Sequence, residues 1–433
     1  MRYQPSLILT VLLLAPGVHA QSLAITHVTV IDITGGPARP DTTVVIGDGR
    51  IANIGGSVPS DAQTIDGRGK FLIPGLWDMH VHLSWTKESA LRLLVANGVT
   101  GVRDLGGTLG EIDEWRAKIA AGLLVGPRIF RVGPILNGHK FNRFQMVPGN
   151  PDETRGVVRA LKEVGVDFIK VHRRMERESY FVAIQEARKQ GLPLVGHIPM
   201  TVTPEEASDA GHATIEHVAT LFEGTFAATL KNRKLADAVR QWRAEQADNL
   251  FARFVKNHTV VDPTLFAYSP EADAPNPRSR YVALSFRKED EKRPKPSPEN
   301  VDESKAVYAE FKEVVRQMNR AGVTLLAGSD IAATRIPGFT LHEELAALVD
   351  SGMTPLQALQ AATLNPARVL RKSDDLGSVD TGKIADLVLL DANPLDDIHN
   401  SQRVVAVIVN GKLLRRTDLD AMLREAEELA KRE

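Results

Sequence analysis

Two histidines stand one residue apart, His80 and His82, in the stretch GLWDMHVHLSW, just after an apolar run that ends in Pro74-Gly75. In a β-strand, side chains two positions apart point to the same side, so both imidazoles would project into one space. Imidazole nitrogens are common ligands of divalent metal ions. The pair therefore indicates half of a metal site, with two neighbouring core histidines as the alternative that the motif alone leaves open.

Four further side chains of ligand type come at the ends of other predicted strands. They are Lys170 in DFIKV, His197 in LVGHIP, His217 in TIEHVA and Asp330 in LLAGSD. The chain has no cysteine, so disulfides and thiolate ligands are excluded, and a metal would be held by nitrogen and oxygen atoms. Each residue alone could be a core histidine, a surface lysine or a turn aspartate. Together with the first two histidines they predict a metal centre assembled from several strand ends at one face of a barrel.

Eight short apolar segments alternate with amphipathic helical segments between about Leu76 and Leu370. Eight β/α units in that length predict an α/β fold of the (β/α)8 TIM-barrel type, which typically takes about 250 residues. A doubly wound open sheet is the alternative, and it is disfavoured because no GxGxxG turn follows the first strand. The predicted strands are LWDMHVH, VTGVRDL, RIFRVGPIL, DFIKVHR, PLVGHI, ATIEHV, TVVDPTL and TLLAGSD.

Short β segments also occupy both flanks of this region. AITHVTVID, TTVVIGDGRIANIGG and FLIPG precede it, with a hairpin turn at Asp48-Gly49, and ADLVLLD and VVAVIVNGKLL follow it. The two flanks predict a small β-sandwich domain built from both chain ends. The predicted organisation is a signal peptide at 1–20, the N-terminal part of the sandwich at 21–74, the barrel at 75–372, the C-terminal part of the sandwich at 373–417 and a C-terminal helix at 418–433.

The start of the chain has the order of a cleavable secretory signal, with Arg2, the apolar run 7–14 and then Val18-His19-Ala20 before Gln21. That run is far shorter than the roughly 20 residues that span a bilayer, and no later segment is apolar enough, so no membrane span is predicted. The 53 basic and 54 acidic residues nearly cancel, and no basic stripe with interleaved aromatic residues indicates a nucleic-acid surface. We therefore predict a periplasmic or secreted protein, and the sequence leaves a homo-oligomer open.

In its motifs the sequence resembles the amidohydrolase superfamily of metal-dependent hydrolases, in particular the binuclear members with a carboxylated lysine. The resemblance rests on DGRIANIG and IDGRGKFLIPGLWDMHVH near the start and on HEELAALVDSGMTPLQALQAATLNPARVL and LGSVDTGKIADLVLLDANPL near the end. Among the subgroups, the sequence is most similar to imidazolonepropionase-related, prolidase-like enzymes, which cleave peptide or acyl-amino-acid bonds. Imidazolonepropionase itself lacks the bridging lysine, so Lys170 argues against that activity.

The resemblance implies a ligand set for two divalent metal ions. His80, His82 and Asp330 would bind one ion, His197 and His217 would bind the other, and Lys170 would bridge both. A lysine ammonium has donors but no lone pair, so Lys170 could serve only as a carbamate formed with carbon dioxide. Imidazole and carboxylate ligands suit zinc, which we expect, and are also compatible with manganese, cobalt or iron.

The expected chemistry is hydrolysis of the amide or peptide bond of a small substrate, such as a dipeptide or an N-acyl amino acid. A hydroxide bridging two dications stays deprotonated near neutral pH, because metal binding lowers the pKa of water from about 15.7 to about 7. It would attack the carbonyl carbon while Asp330 shuttles the proton to the leaving nitrogen. His139, in PILNGHKF, is either a residue that polarises the substrate carbonyl, as in related enzymes, or a loop histidine. The alternatives are ester or lactone hydrolysis at the same site, deamination of a heterocycle, and a non-catalytic ligand-binding barrel.

We also predict roles for several residues near these motifs. Arg173 and Arg174 could pair with a substrate carboxylate or be solvated at a helix start. Arg103-Asp104 is predicted to be an ion pair inside the barrel. The Pro-rich, charged segment 268–298 would be a lid or rim over the catalytic face, or a solvated insertion. His172, like other histidines without a matching motif position, is predicted to be structural.

Overall fold

The computed structural model describes residues 22–230, 233–272, 274–290, 297–331 and 335–433. The predicted signal peptide at 1–20 lies outside the described residues. Among the helices of these described ranges, none combines the length and the apolar character that a bilayer crossing requires.

Strands and helices alternate along the middle of the chain, and strands are gathered at both ends. The strands are β1 (Leu23–Val30), β2 (Arg39–Gly47), β3 (Arg50–Ile54), β4 (Gln63–Asp66), β5 (Phe71–Pro74), β6 (Leu76–Val81), β7 (Val99–Asp104), β8 (Arg128–Arg131), β9 (Ile135–Leu136), β10 (Gln145–Met146), β11 (Ile169–Val171), β12 (Leu194–Gly196), β13 (Thr214–Glu216), β14 (Val260–Asp262), β15 (Leu387–Leu390), β16 (Val404–Val409) and β17 (Lys412–Arg415). The α-helices are α1 (Leu83–Thr86), α2 (Ser89–Ala96), α3 (Leu109–Ala120), α4 (Pro151–Glu163), α5 (Arg177–Lys189), α6 (Pro204–Ala210), α7 (Leu235–Glu245), α8 (Ala247–Asn257), α9 (Leu284–Asp290), α10 (Pro298–Ala321), α11 (Phe339–Asp350), α12 (Pro355–Ala361), α13 (Leu364–Val369) and α14 (Arg416–Ala430).

Both chain ends contribute to one sheet of eight strands. Its order is β17-β16-β15-β5-β1-β2-β3, with β4 paired to β1. The two ends meet where β5 and β15 pair antiparallel, with Pro74 opposite Leu387. Apolar side chains from both ends, such as Ile25 and Leu389, are buried in one cluster. This edge-to-edge pairing makes one continuous sheet, and its arrangement as a two-layer sandwich stays a prediction.

The predicted barrel strands form two parallel sheets. One consists of β6, β7 and β8, and the other follows the order β10-β9-β11-β12-β13-β14. The eighth predicted strand does not form a regular strand. It makes only isolated bridges, in which Leu325 pairs with Val261 of β14 and Ile331 pairs with Val81 of β6. Asp330 within it has a φ of 48°, which interrupts a regular ladder. This segment connects β14 to β6, although the two sheets are not joined into one closed sheet.

Helix faces pack against the parallel strands and form the main core. Leu91 and Leu94 of α2 and Tyr180 of α5 are fully buried there. The C-terminal helix, predicted at 418–433, is α14, and it packs on α2 with Leu419 fully buried. In barrels of this kind, helices surround the strands, so polar side chains of a site come from strand ends and the loops that follow them.

The segment predicted as a lid or a solvated insertion is packed in its described part. Tyr281 is 6% exposed, and its ring stacks on Phe339 with centroids 5.7 Å apart. Val282 and Ala283 are buried beside it. The described residues of this segment are therefore more than a solvated insertion, and the role of the segment as a lid or rim stays a prediction.

Candidate metal centre

Strand β6 carries the first two predicted ligands into the interior. His80 is fully buried within the strand, and His82 follows its last residue. Nδ1 of His80 lies 3.2 Å from Glu216 Oε2, and Nδ1 of His82 lies 3.3 Å from Gly106 O. Because an ionised carboxylate and a carbonyl only accept hydrogen bonds, we assign the proton of both rings to Nδ1. Both histidines then present a bare Nε2, which is the form that binds a metal ion.

Asp330 completes this half of the site. Its Oδ1 lies 3.5 Å from His80 Nε2 and 3.7 Å from His82 Nε2. Arg335 Nη1 donates to the backbone carbonyl of Asp330 at 2.9 Å and lies 3.4 Å from its Oδ2. The ligand atoms of the two histidines and the aspartate all lie within 4.8 Å of one another, which is close enough for one metal ion.

His197 and His217 adjoin this group from the neighbouring strands β12 and β13. Nδ1 of His217 lies 2.7 Å from Thr264 Oγ1, and the residue has a φ of 69° just after its strand. Nδ1 of His197 is buried without a hydrogen-bond partner among the described residues. The two ring centroids are 4.7 Å apart, and the His217 ring is 4.6 Å from that of His80. The two predicted ligand sets therefore share one site.

Lys170 lies on β11, close enough to His80, His82 and His217 for its charge to add to burial in lowering their pKa values. It is 1% exposed, and its Nζ has no hydrogen-bond partner in the described part of the chain. Burial lowers the pKa of Lys170 to about 8. Gly196 has a φ of 124°, and a Cβ there would lie 3.0 Å from Lys170 Cδ and 2.2 Å from Val171 O. A glycine is therefore required at this position, both for its backbone and to leave room for the lysine.

Burial keeps the imidazoles of the site neutral. Desolvation lowers the pKa of His82 to about 4, and it holds the pKa values of His80, His197 and His217 well below the usual range. Among the predicted ligands, His80 Nε2, His197 Nδ1 and Lys170 Nζ are buried nitrogens without a hydrogen-bond partner in the described residues, and the same holds for Nδ1 of the adjacent His172. Neutral imidazoles with unused lone pairs fit divalent cations. Lys170 fits them only if its ammonium is converted into an oxygen donor.

His139 lies apart from this cluster by its contacts. It is exposed in the loop between β9 and β10, and its ring contacts Phe141 edge-on with centroids 4.8 Å apart. The Phe141 ring in turn lies 6.3 Å from that of His172. These contacts connect His139 to the rim of the site, and its role on a substrate carbonyl stays a prediction.

Three polar residues beside the ligands escape the sequence-based prediction of the site. The His172 ring lies 4.2 Å from that of His197, and burial lowers the His172 pKa to about 3. Its spacing of two from Lys170 repeats the His80 and His82 pattern, so a usable signal exists. Glu216 and Asp262 are fully buried at the ends of β13 and β14, and no motif marks them.

Arg103 pairs with Glu216, so the predicted ion pair with Asp104 is wrong. Arg103 Nη2 lies 2.9 Å from both carboxylate oxygens of Glu216. Asp104 Oδ1 instead accepts from Leu83 N at 2.8 Å. Neighbouring residues of β7 point to opposite faces, so the two side chains cannot meet on one side of the sheet.

Comparison with known proteins finds one matching family and several relatives. The model of the Amidohydrolase family matches residues 71–414. An imidazolonepropionase of Symbiobacterium thermophilum (strain DSM 24528 / JCM 14929 / IAM 14863 / T) is 25% identical over 427 residues, which cover 89% of this chain and 95% of that protein. An imidazolonepropionase of Shouchella clausii (strain KSM-K16) is 32% identical over 120 residues, which cover 24% of this chain and 26% of that protein.

A solved structure is similar over almost the whole chain. It is that of a candidate prolidase from Bifidobacterium longum, with a TM-score of 0.70 and 27% identity. The superposition covers 94% of this chain and 99% of that chain. Together with the family match, it supports the predicted α/β TIM-barrel fold over the doubly wound alternative.

Proposed function

The chain belongs to the amidohydrolase family and is a hydrolase of carbon–nitrogen bonds, and we propose that its substrates are dipeptides or N-acyl amino acids. The observation that carries the proposal is the meeting of six ligand-type side chains at the strand ends. They are His80, His82, Lys170, His197, His217 and Asp330. Such a site suits a small substrate whose amide carbonyl reaches the end of the barrel.

Two divalent metal ions are the proposed cofactors, with zinc as the expected metal. His80, His82 and Asp330 would hold one ion, and His197 and His217 the other. The support is the set of buried nitrogens without partners and the short separation of the first three ligands. When bound, the metal pair supplies Lewis acidity that polarises the substrate carbonyl and acidifies water.

Lys170 would contribute through a carbamate. Its neutral amine nitrogen would form a bond to the carbon of carbon dioxide and release one proton, which leaves two carboxylate-like oxygens as ligands. A buried Nζ without a partner and a lowered pKa favour the neutral amine that this addition needs. The carbamate also removes the cost of an unpaired ammonium beside two cations.

Asp330 is the proposed proton carrier. Its Oδ1 faces Nε2 of His80 and His82, while Arg335 lies beside its Oδ2. Oδ1 would take the proton of the attacking water and deliver it to the leaving nitrogen, because an amine leaves poorly as an anion. Such a positioned transfer typically contributes about 10² to 10⁴ in rate.

The substrate class rests on the likeness to the structure of the candidate prolidase and on the burial of the site's side chains. Cyclic amides are a second candidate, because the imidazolonepropionase of Symbiobacterium thermophilum matches 89% of the chain. Lys170 argues against that reaction as the main activity. Esters and lactones would be open to the same attack, whereas a deaminase would have no need of Lys170.

The cellular location is proposed from the chain start. Residues 1–20 have the order of a cleavable signal peptide, so we expect the mature protein in the periplasm or outside the cell. Membrane fractionation and N-terminal sequencing of the protein expressed in a Gram-negative host test this expectation. A cytoplasmic protein that retains Met1 would contradict it.

The decisive experiment is a hydrolysis screen on zinc-reconstituted protein in bicarbonate buffer. Dipeptide and N-acyl amino acid libraries are assayed for released amine, with ammonia measured in parallel. We expect amine release that depends on metal. Equal turnover by metal-free protein would overturn the mechanism, ammonia release would favour a deaminase, and silence across both libraries with metal bound would favour cyclic amides and lactones.

A further inference from the structure

We propose that Glu216, held in place by Arg103, is a positioning residue that fixes the tautomer and orientation of His80 for metal binding. The inference rests on the proposed function, because it concerns a ligand of the proposed metal pair. Glu216 itself would not contact substrate or metal. It would act through the His80 ring from the side opposite to Asp330.

The side chains of His80 and Glu216 contact each other in the interior. His80 and Glu216 are both fully buried, and Nδ1 of the ring lies 3.2 Å from Oε2 of the carboxylate. A carboxylate accepts a hydrogen bond from Nδ1–H, so the proton stays on Nδ1 and the other ring nitrogen keeps its lone pair. That nitrogen, Nε2, has no hydrogen-bond partner in the described part of the chain and lies 3.5 Å from Asp330 Oδ1. The ring therefore spans from an orienting carboxylate to the ligand position.

Glu216 is held rigidly by Arg103. Arg103 Nη2 donates to both of its oxygens at 2.9 Å. The same guanidinium donates through Nε to Met79 O at 2.7 Å and through Nη1 to Thr214 Oγ1 at 2.8 Å. Met79 directly precedes His80 on β6, so Arg103 ties the carboxylate to the backbone of the strand that carries the ligand. A fully buried arginine with this many fixed contacts leaves Glu216 one orientation.

The carboxylates beside His80 are poorly suited to bind a further metal ion. Ligand atoms of His80, Glu216 and Asp262 also lie within 4.8 Å of one another, as they would around a metal ion. Arg103 already supplies a positive charge there, because its Nη2 lies 3.5 Å from Asp262 Oδ2 as well as beside Glu216. A metal ion at this position would face a guanidinium at contact distance. The group is therefore best explained as the support of the metal centre rather than as a third ion site.

Strand β13 consequently serves both halves of the proposed centre. Its last residue, Glu216, orients a ligand of one ion, and the next residue, His217, is a ligand of the other. The φ of 69° at His217 bends the backbone directly after Glu216, so the two neighbouring side chains can serve different ions. A change at Glu216 should therefore act on metal binding more than on the stability of the barrel.

The test measures zinc affinity of the full-length protein by competition with a chromogenic chelator. We expect Glu216→Gln to weaken zinc binding by about 10- to 100-fold, as losses of outer partners of metal-bound histidines typically do. The matched control is Glu186→Gln on α5, which removes a buried carboxylate that pairs with Arg159 Nε at 2.8 Å. The control is expected to bind zinc like the unchanged protein.

A second variant keeps the test decisive if Glu216→Gln fails to fold. Thr214→Val keeps the shape of the side chain but removes the hydroxyl that contacts both Arg103 and Glu216. We expect weaker zinc binding here too, with a smaller factor. If Glu216→Gln folds, an unchanged zinc affinity of that variant would overturn the inference. If Glu216→Gln does not fold, an unchanged zinc affinity of Thr214→Val would overturn it. Absence of zinc binding by the unchanged protein would instead overturn the proposed function.

Discussion

Oδ1 of Asp330 lies 3.5 Å from Nε2 of His80, and the next residue, Ile331, forms a parallel bridge with Val81 of strand β6. The φ of 48° at Asp330 and the adjacent Arg335 set the direction of this carboxylate. Oδ1 faces Nε2 of His80 and His82, while Oδ2 faces Arg335, which leaves Oδ1 as the oxygen directed at the predicted metal site. The roles proposed for Asp330 follow from this geometry.

Replacement of Asp330 by asparagine should remove the proton carrier while it preserves the shape of the side chain. We expect kcat for an amide substrate to fall about 10²- to 10⁴-fold. The deficit should be smaller for a nitrophenyl ester, whose leaving group needs no proton. Steady-state kinetics on both substrates check this, and an equal loss on amide and ester would show that Asp330 acts as a ligand only.

Replacement of Lys170 by alanine should lower the metal content and turnover together. The carbamate also predicts that unchanged protein, prepared without carbon dioxide, regains activity when bicarbonate is added with zinc. Elemental analysis, kinetics and intact-protein mass spectrometry measure these effects. The closest matched control is Lys189→Ala at the end of α5, an exposed lysine that lies 4.0 Å from Glu186 and apart from the strand ends. Full metal loading in Lys170→Ala would contradict the bridging role.

Arg174 is the candidate anchor for a substrate carboxylate. Its guanidinium lies over the Phe141 ring at 4.7 Å, and no carboxylate in the described part of the chain pairs with it, whereas Arg173 pairs with Glu223 at 3.3 Å. We expect Arg174→Gln to raise KM for an N-acyl amino acid by about tenfold, since a charged hydrogen bond is worth about 1.5 kcal/mol or more. The KM of the corresponding substrate with an amidated carboxylate should not change. Equal effects on both substrates would exclude the anchor.

The loss of folding stability at low pH should depend in part on His342, which lies on α11 outside the site. The ring is fully buried, with Nε2 at 2.9 Å from Asn97 O and Nδ1 at 2.9 Å from Ser401 Oγ, and burial lowers its pKa to about 4. In the unfolded chain the His342 ring is protonated below about pH 6.5, whereas in the folded protein it is protonated only below about pH 4. Folding stability should therefore fall by up to about 3 kcal/mol as the pH drops through this window.

The variant His342→Gln can keep both hydrogen bonds and has no titrating group, so its stability should fall less between pH 6.5 and 4. The control is His399→Gln, because His399 is exposed and contacts Asp397 at the surface. Urea unfolding at several pH values measures the difference. The same pH slope in both variants would contradict the assignment to His342.

Residue type and spacing were sufficient to predict which ligand-type side chains lie together, and their roles as ligands stay a prediction. Strand alternation places His80 and His82 on one side, and strand ends in a barrel meet at one face, so Lys170, His197, His217 and Asp330 could be grouped without coordinates. The structure brings these residues together around unpartnered nitrogens. The position of His139 was less accessible, because a loop between β9 and β10 has no periodicity that fixes where its side chains lie.

The sequence by itself determined which side chains could bind metal and which strands carry them, because periodicity and side-chain chemistry are local properties. Only the tertiary structure decided that Arg103 meets Glu216 instead of Asp104, and that Glu216 meets His80. These contacts join strands that are distant in the chain, so they depend on the order and stagger of strands around the barrel. The same packing decides which imidazole nitrogen stays free, since a buried ring takes the tautomer that its fixed neighbours accept.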